Sequence, residues 1–278
     1  MTVEQARRPA LGWLLTDTMA VVRRHLLKVT RVPESLFFAL IQPVMFVLLF
    51  AYVFGGAINV GPGGAQAYRE FLIPGIFAQT VMFAVASITV GITEDSTRGI
   101  MDRFRSLPMK PGAVLGGHTL ASLFQNILVI VMLSITGLAV GWRPHGSVLK
   151  TATAYLLLAC FAYAITWVGA WIGLHMPSPE VAGTAGLAWI FPLTFASSVF
   201  TPIGTMPSWL QPIASWNPVS CLALACRSLF ENPMPLLGTT FPERHAVALS
   251  FGWAALLLAI FAPLAVRYFK NNASSGKA

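Results

Sequence analysis

Charge is what this sequence has least of. Only 10% of its 278 residues are Asp, Glu, Lys or Arg and 56% are hydrophobic, whereas soluble domains carry about 25% charged residues. Too few polar side chains exist to cover that much apolar surface, which excludes a water-soluble fold. Acid is scarcer still, with ten Asp and Glu against eighteen Lys and Arg and a formal charge of +8. In a soluble protein this excess would suggest nucleic acid. Here the basic residues flank long apolar runs, so they read as topology signals and contacts to anionic membrane lipid, and no nucleic-acid partner is expected. Cysteine is limited to Cys160, Cys221 and Cys226, without metal-type spacing. Cys221 and Cys226 fall on different faces of a helix, so a disulfide between them is the minority reading. A phosphate-binding Gly-x-x-x-x-Gly-Lys-Ser/Thr loop is absent; the sole Gly-Lys pair is Gly276 and Lys277. His25, His145, His175 and His245 have no acidic or Cys partner at a catalytic spacing, so no enzyme chemistry, cofactor or metal is expected on this chain.

What is present is six apolar runs, at 36–54, 71–92, 113–140, 151–174, 181–200 and 246–266, none containing Asp, Glu, Lys or Arg. A bilayer core requires about 20 mostly apolar residues per helix, so the chain reads as an all-α membrane protein with six transmembrane helices. The segment preceding the first run is polar and basic, carrying Arg7, Arg8, Arg23, Arg24, Lys28 and Arg31, unlike a cleavable signal peptide. Six crossings put both termini on one side. Thirteen Lys or Arg fall on the side of the termini and the 98–110 loop, against five, namely Arg69, Arg143, Lys150, Arg227 and Arg244, on the other. By the positive-inside rule both termini are cytoplasmic.

Residues 1–31 read as a cytoplasmic N-terminus, with Trp13, Leu14, Val21 and Leu27 among Asp17, Arg23, Arg24 and Lys28 giving a basic amphipathic helix over 10–30 that lies on the leaflet. Residues 32–270 form the membrane domain and 271–278 a cytoplasmic tail. The stretch 201–245 is apolar but divided by Pro202, Pro207, Pro212 and Pro218, which predicts short outer-face helices dipping into the interface. A seventh crossing from Val219 is the rival reading; it would put Lys270 and Lys277 outside, against the charge bias.

The 94–108 stretch, EDSTRGIMDRFRSLP, predicts a short cytoplasmic helix with Glu94 and Asp95 at its N-terminus and Pro108 as its stop. Ile100, Met101, Phe104 and Leu107 line one face; Arg98, Asp102 and Arg105 fall on another. Such a helix has one face to bury and one to pair, which suits docking to a partner protein. Anchoring of the loop to the membrane surface would satisfy the same pattern.

The blocks VPESLFFALIQPVMFVLLFAYVFGG at 32–56, FLIPGIFAQT at 71–80 and RGIMDRFRSLPM at 98–109 resemble the ABC-2 type permeases, and within them the daunorubicin and doxorubicin resistance permeases. The resemblance implies an ABC-2 (type V exporter-like) permease fold, with an N-terminal interfacial helix ahead of six membrane helices and two such subunits per transporter. It also assigns the loop helix to coupling with a separate ABC ATPase. Transferred to this sequence, the coupling residues are Arg98, Gly99, Ile100, Met101, Asp102, Arg103, Phe104, Arg105, Leu107 and Pro108. MgATP would then be bound by the partner ATPase, in a multi-pass assembly of a bacterial inner membrane.

A cargo cavity would draw on soft apolar groups: Phe77, Gln79, Met82 and Phe83 in the second run, and Phe191, Phe195 and Phe200 in the fifth. Gln125 and Asn126 could add hydrogen bonds. Aromatic and Met surfaces suit hydrophobic or amphipathic cargo such as a drug, antibiotic, lipid or polyketide. The alternative is a secondary carrier or channel not coupled to ATP. Such proteins normally need ionisable residues within the membrane, and the six runs offer only His118, read as interfacial or helix-bonded.

Overall fold

In the computed structural model, residues 18–19, 22–23, 33–54, 64–101, 111–232 and 240–274 are described. All regular structure among them is helical. Among the described residues four helices are long and apolar enough to cross a membrane: α2 (Gly64–Thr97), α3 (Pro111–Val140), α4 (Val148–Gly173) and α10 (Ala246–Ser274). Ahead of them α1 (Pro33–Leu48) passes directly into six residues of π-helix, Leu49–Phe54. The first run is therefore one helical rod with a widened last turn.

The fifth apolar run does not form one helix. It divides into α5 (Pro179–Ala188) and α6 (Ile190–Phe195), and the chain leaves helical geometry after Phe195 instead of continuing to Phe200. Pro192 explains the break, since it has no N–H to give the carbonyl four residues back, that of Ala188. Residues 201–245 hold α7 (Gln211–Trp216), α8 (Pro218–Phe230) and α9 (Phe241–Arg244). At 13 residues α8 spans about 20 Å, short of the roughly 30 Å bilayer core, and Glu231 in the left-handed region ends it. That length argues against a seventh crossing from Val219. Trp209 and Trp216 are exposed, as outer-face anchors would be, but α8 lies deeper than an interfacial helix: nine of its residues are buried, among them Cys221 and Cys226, and it packs on α2, α4 and α10. All three cysteines are free.

The centre of the bundle is α2, which touches α1, α3, α4, α5, α6 and α8 and is buried over most of its length. Its contact with α4 is built on Gly169 and Gly173. A Cβ at Gly169 would sit 2.3 Å from Ile88 Cγ2, and one at Gly173 2.7 Å from the Thr89 carbonyl. The two backbones approach closely enough for Thr89 and Thr93 to donate across to the carbonyls of Gly169 and Gly173, at 3.1 and 2.9 Å. Gly186 of α5 meets α2 in the same way, its added Cβ falling 2.9 Å from Ala86 Cα. These small residues serve packing inside the chain.

The helices alternate in direction between two ends. At the Gly64 end, Gln66 donates to the Gly141 carbonyl, Glu70 lies 3.4 Å from His145, Trp142 donates to Asn232, and Lys150 pairs with Glu231. At the Thr97 end a second cluster gathers Ile88, Ile92, Met101, Val114, Leu115, Ala265 and Phe269. Of the expected 10–30 helix, residues 18–19 and 22–23 are helical and the rest lie outside the described residues. Val22 is buried and Thr18 donates to the Ala113 carbonyl at the Thr97 end.

Candidate functional site

Three groupings carry chemistry. The first closes the Thr97 end. Glu94 and Asp95 do not open a loop helix; they occupy the last turn of α2, which runs on to Thr97. The helix stops because Gly99 adopts φ +67, a left-handed geometry that spares glycine a Cβ clash. Gly99 N–H bonds to the Ser96 carbonyl, and Arg98, largely exposed, pairs with Glu94 at 3.2 Å. Helical geometry resumes at Ile100 and Met101. Met101 is buried in the chain's own core, so that part of the expected docking face is covered from within, while Ile100 is half-buried. Asp102, Arg103, Phe104, Arg105, Leu107 and Pro108 lie outside the described residues. Just inside this end, Asp95 and His118 form a buried pair at 3.3 Å joining α2 to α3. His118 is thus bonded to a neighbouring helix.

The second grouping is a row of aromatic rings. Phe83 of α2 meets Phe191 edge-on with centroids 5.1 Å apart. Phe191 stacks toward Phe195 at 6.1 Å, and Phe195 lies 5.4 Å from Phe200. Phe200 stacks on Phe50 at 4.4 Å, and both reach Phe46 at 5.9 Å. Of the seven expected cavity residues, Phe83, Phe191, Phe195 and Phe200 come together. Phe191 and Phe195 are 40% and 53% exposed, leaving half of each ring for a ligand, lipid or second chain. Phe77, Gln79 and Met82 do not join them: all three are buried, because α2 is covered on almost every side. Phe77 packs against Trp142, Tyr155 and Phe230, and neither end of the Gln79 amide has a partner among the described residues. Nor is Asn126 free, since it donates to the Ser122 carbonyl of its own helix. Phe46 and Phe50 were not foreseen, although their i, i+4 spacing marks one face of a helix.

An open groove on α5, lined by Pro179, Glu180, Gly183, Thr184, Leu187, Ala188 and Phe191, leads into this row. Small residues make the hollow and Glu180 stands at its Thr97-end mouth.

The third grouping surrounds Arg227, which the charge pattern counts as an outer-loop cation. The structure buries it completely. Its Nε donates to the Phe71 carbonyl at 2.8 Å, and Nη2 donates to the carbonyls of Ser198 and Val199 at 2.8 and 3.0 Å. Nη1 lies 3.4 Å from Ser198 Oγ, and the guanidinium covers the Phe71 ring at 3.6 Å. Asn217, capping α8, donates to the Leu193 and Ala196 carbonyls at 2.6 and 2.9 Å. Helix α6 can therefore end inside the protein, because α8 collects the carbonyls that its last turn leaves unpaired.

The model of the ABC-2 type transporter family matches residues 16–230, which contain all three groupings and leave out α9 and α10. The daunorubicin resistance ABC transporter permease protein DrrB1 of Streptomyces coeruleorubidus is 30% identical over 266 residues, 95% of this chain and 90% of that protein. The probable doxorubicin resistance ABC transporter permease protein DrrC of Mycobacterium tuberculosis is 19% identical, covering 91% of this chain and 88% of its own. The putative transport permease ycf38 of Cyanophora paradoxa is 21% identical over 93% and 89%. Apolar helices long enough to cross a bilayer, a match over most of the chain and this likeness to permeases agree, and the chain belongs to the ABC-2 type transporter family.

Proposed function

We propose that this chain is the membrane-spanning permease subunit of an ATP-driven exporter of hydrophobic or amphipathic molecules. The observation that carries the reading is the half-exposed aromatic row fed by the α5 groove. Rings offered edge-on and face-on suit flat apolar cargo, and anionic Glu180 at the mouth favours cargo with a cationic group. The likeness to daunorubicin and doxorubicin resistance permeases points the same way. Six crossings, counting α1 with its π-turn and the broken α5–α6 as two, put the Thr97 end and both termini in the cytoplasm.

Energy comes from separate ABC ATPase subunits holding MgATP, since the sequence has no phosphate loop of its own. The ATPase docks on the 98–108 segment, and a second permease, the same or related, faces the aromatic row across a shared path. Lipid covers α10, most of whose span is exposed.

Copurification in gentle detergent tests this directly. A nucleotide-hydrolysing subunit is expected to accompany the tagged wild-type chain and to be lost on combined Asp102→Ala and Phe104→Ala substitution. In reconstituted vesicles, Glu180→Gln is expected to reduce export of a cationic amphiphile severalfold while sparing a neutral one. A well-folded chain that recruits no ATPase would overturn the reading in favour of an ion-coupled carrier. That rival draws some support from the buried Asp95–His118 pair and Arg227, ionisable groups of which only His118 lies within the six runs.

A further inference from the structure

Arg227 stands in a joint that an uncharged side chain could fill. It is fully buried, and among the described residues it faces no carboxylate; its acceptors are three backbone carbonyls and one hydroxyl. Burying a cation without a counter-ion is costly, and apolar replacements of buried charges are frequently as stable as the original. Packing alone does not account for its presence. The carbonyls it holds come from two bodies. Phe71 belongs to α2, three residues before Pro74, which has no N–H and loosens the turn behind it. Ser198 and Val199 belong to the bend after α6, which is tied to α8 by the Ser220 hydroxyl accepting from Ser198 N–H at 2.9 Å.

Gly75 completes the joint. A Cβ there would sit 2.4 Å from the Val199 carbonyl and 2.8 Å from Arg227 Nη2. The Pro74–Gly75 pair thus has two separable effects: proline weakens α2 at this level, and glycine lets the bend and the guanidinium press against it. About 36 Å further along the same helix, at 1.5 Å per residue, lie Gly99 and the start of the 98–108 segment. One helix therefore joins the segment proposed to dock the ATPase to the joint at the other end.

Resting on the exporter reading, we propose that Arg227 is a positioning residue that latches the 196–230 hairpin to α2. In the latched state the outer end is closed. Movement of the Thr97 end tilts α2 about Pro74, the guanidinium exchanges its carbonyls for water, and the hairpin swings to release cargo. Hydrogen bonds to carbonyls can be exchanged in this way without stranding an anion.

The test uses the permease reconstituted with its ATPase. Arg227→Met fills the joint without hydrogen bonds, Arg227→Lys restores a donor, and Gly75→Ala retains Arg227 but displaces the Val199 carbonyl. Export is expected to fall about tenfold in Arg227→Met, with ATP turnover and assembly within about twofold of wild type and partial recovery in Arg227→Lys. Gly75→Ala should reproduce that split, and it decides the matter should Arg227→Met fail to assemble.

The buried native cysteines give a second readout in a Cys160→Ala background. Labelling of Cys221 and Cys226 by a water-soluble maleimide should be slow at rest, rise during ATP turnover, and be fast without ATP in Arg227→Met. Normal export by both Arg227→Met and Gly75→Ala, equal loss of export and ATP turnover, or labelling indifferent to ATP in an actively exporting wild type would each overturn the latch. Wild type that neither recruits nor uses an ATPase would instead overturn the exporter reading, and fast labelling of Arg227→Met alone would still report the joint.

Discussion

At the scale of single residues, the bundle owes more to what its small side chains permit than to the hydrogen bonds they make. Thr93 donates to the Gly173 carbonyl, but interhelical hydrogen bonds within membranes average about 0.6 kcal/mol, so Thr93→Val should barely move thermal stability in detergent. Gly173→Ala places a methyl 2.7 Å from the Thr89 carbonyl and should cost about 1–3 kcal/mol through overpacking. A thermal midpoint followed by size exclusion separates the two. The sequence shows Gly169 and Gly173 at packing spacing but not the helix they pack against, because any apolar helix could be the partner. Arg227 was illegible for a related reason. It sits in a proline-divided stretch that reads as an outer loop, and only the fold, by ending α6 within the protein, creates the unpaired carbonyls that hold it. The Asp95–His118 pair, 23 positions apart in sequence, likewise exists only once α2 and α3 are side by side.

At the scale of elements, glycine and proline set where helices stop. Gly99, at φ +67, separates α2 from the rest of the segment proposed to dock the ATPase; Gly99→Ala should cost about 1–2 kcal/mol in that geometry and, on the proposed function, reduce ATP-coupled export while leaving copurification of the ATPase detectable. Pro192→Ala returns an N–H to the Ala188 carbonyl and should fuse α5 with α6. Slower amide exchange around Trp189, with a severalfold drop in export as Phe195 leaves the row, is the expected result. Apolar run length made α2, α3, α4 and α10 legible. The same criterion misread the fifth run as unbroken to Phe200, since Pro192 is tolerated in many membrane helices and whether it divides one depends on what receives the freed carbonyls. The aromatic residues of the site were half legible: composition found Phe83, Phe191, Phe195 and Phe200, but burial separated Phe77 and Met82, six and one positions earlier on the same helix, from Phe83.

At the scale of the whole molecule, the alternation of helices between two ends makes the proposed topology testable. Single cysteines placed at 144 and 177 in a cysteine-free chain should label from opposite faces of an intact cell, the first from outside; labelling of both from one face would remove the six-crossing topology. The central position of α2 has a consequence for biosynthesis. This helix enters the bilayer before α4, α5 and α8 have been made, so until they arrive its Gln79, Thr89 and Thr93 side chains face lipid rather than protein. The middle of the molecule is thus completed last, by segments up to about 150 residues downstream, and a chain stalled before α8 would leave these polar side chains of α2 uncovered for quality-control proteases to read.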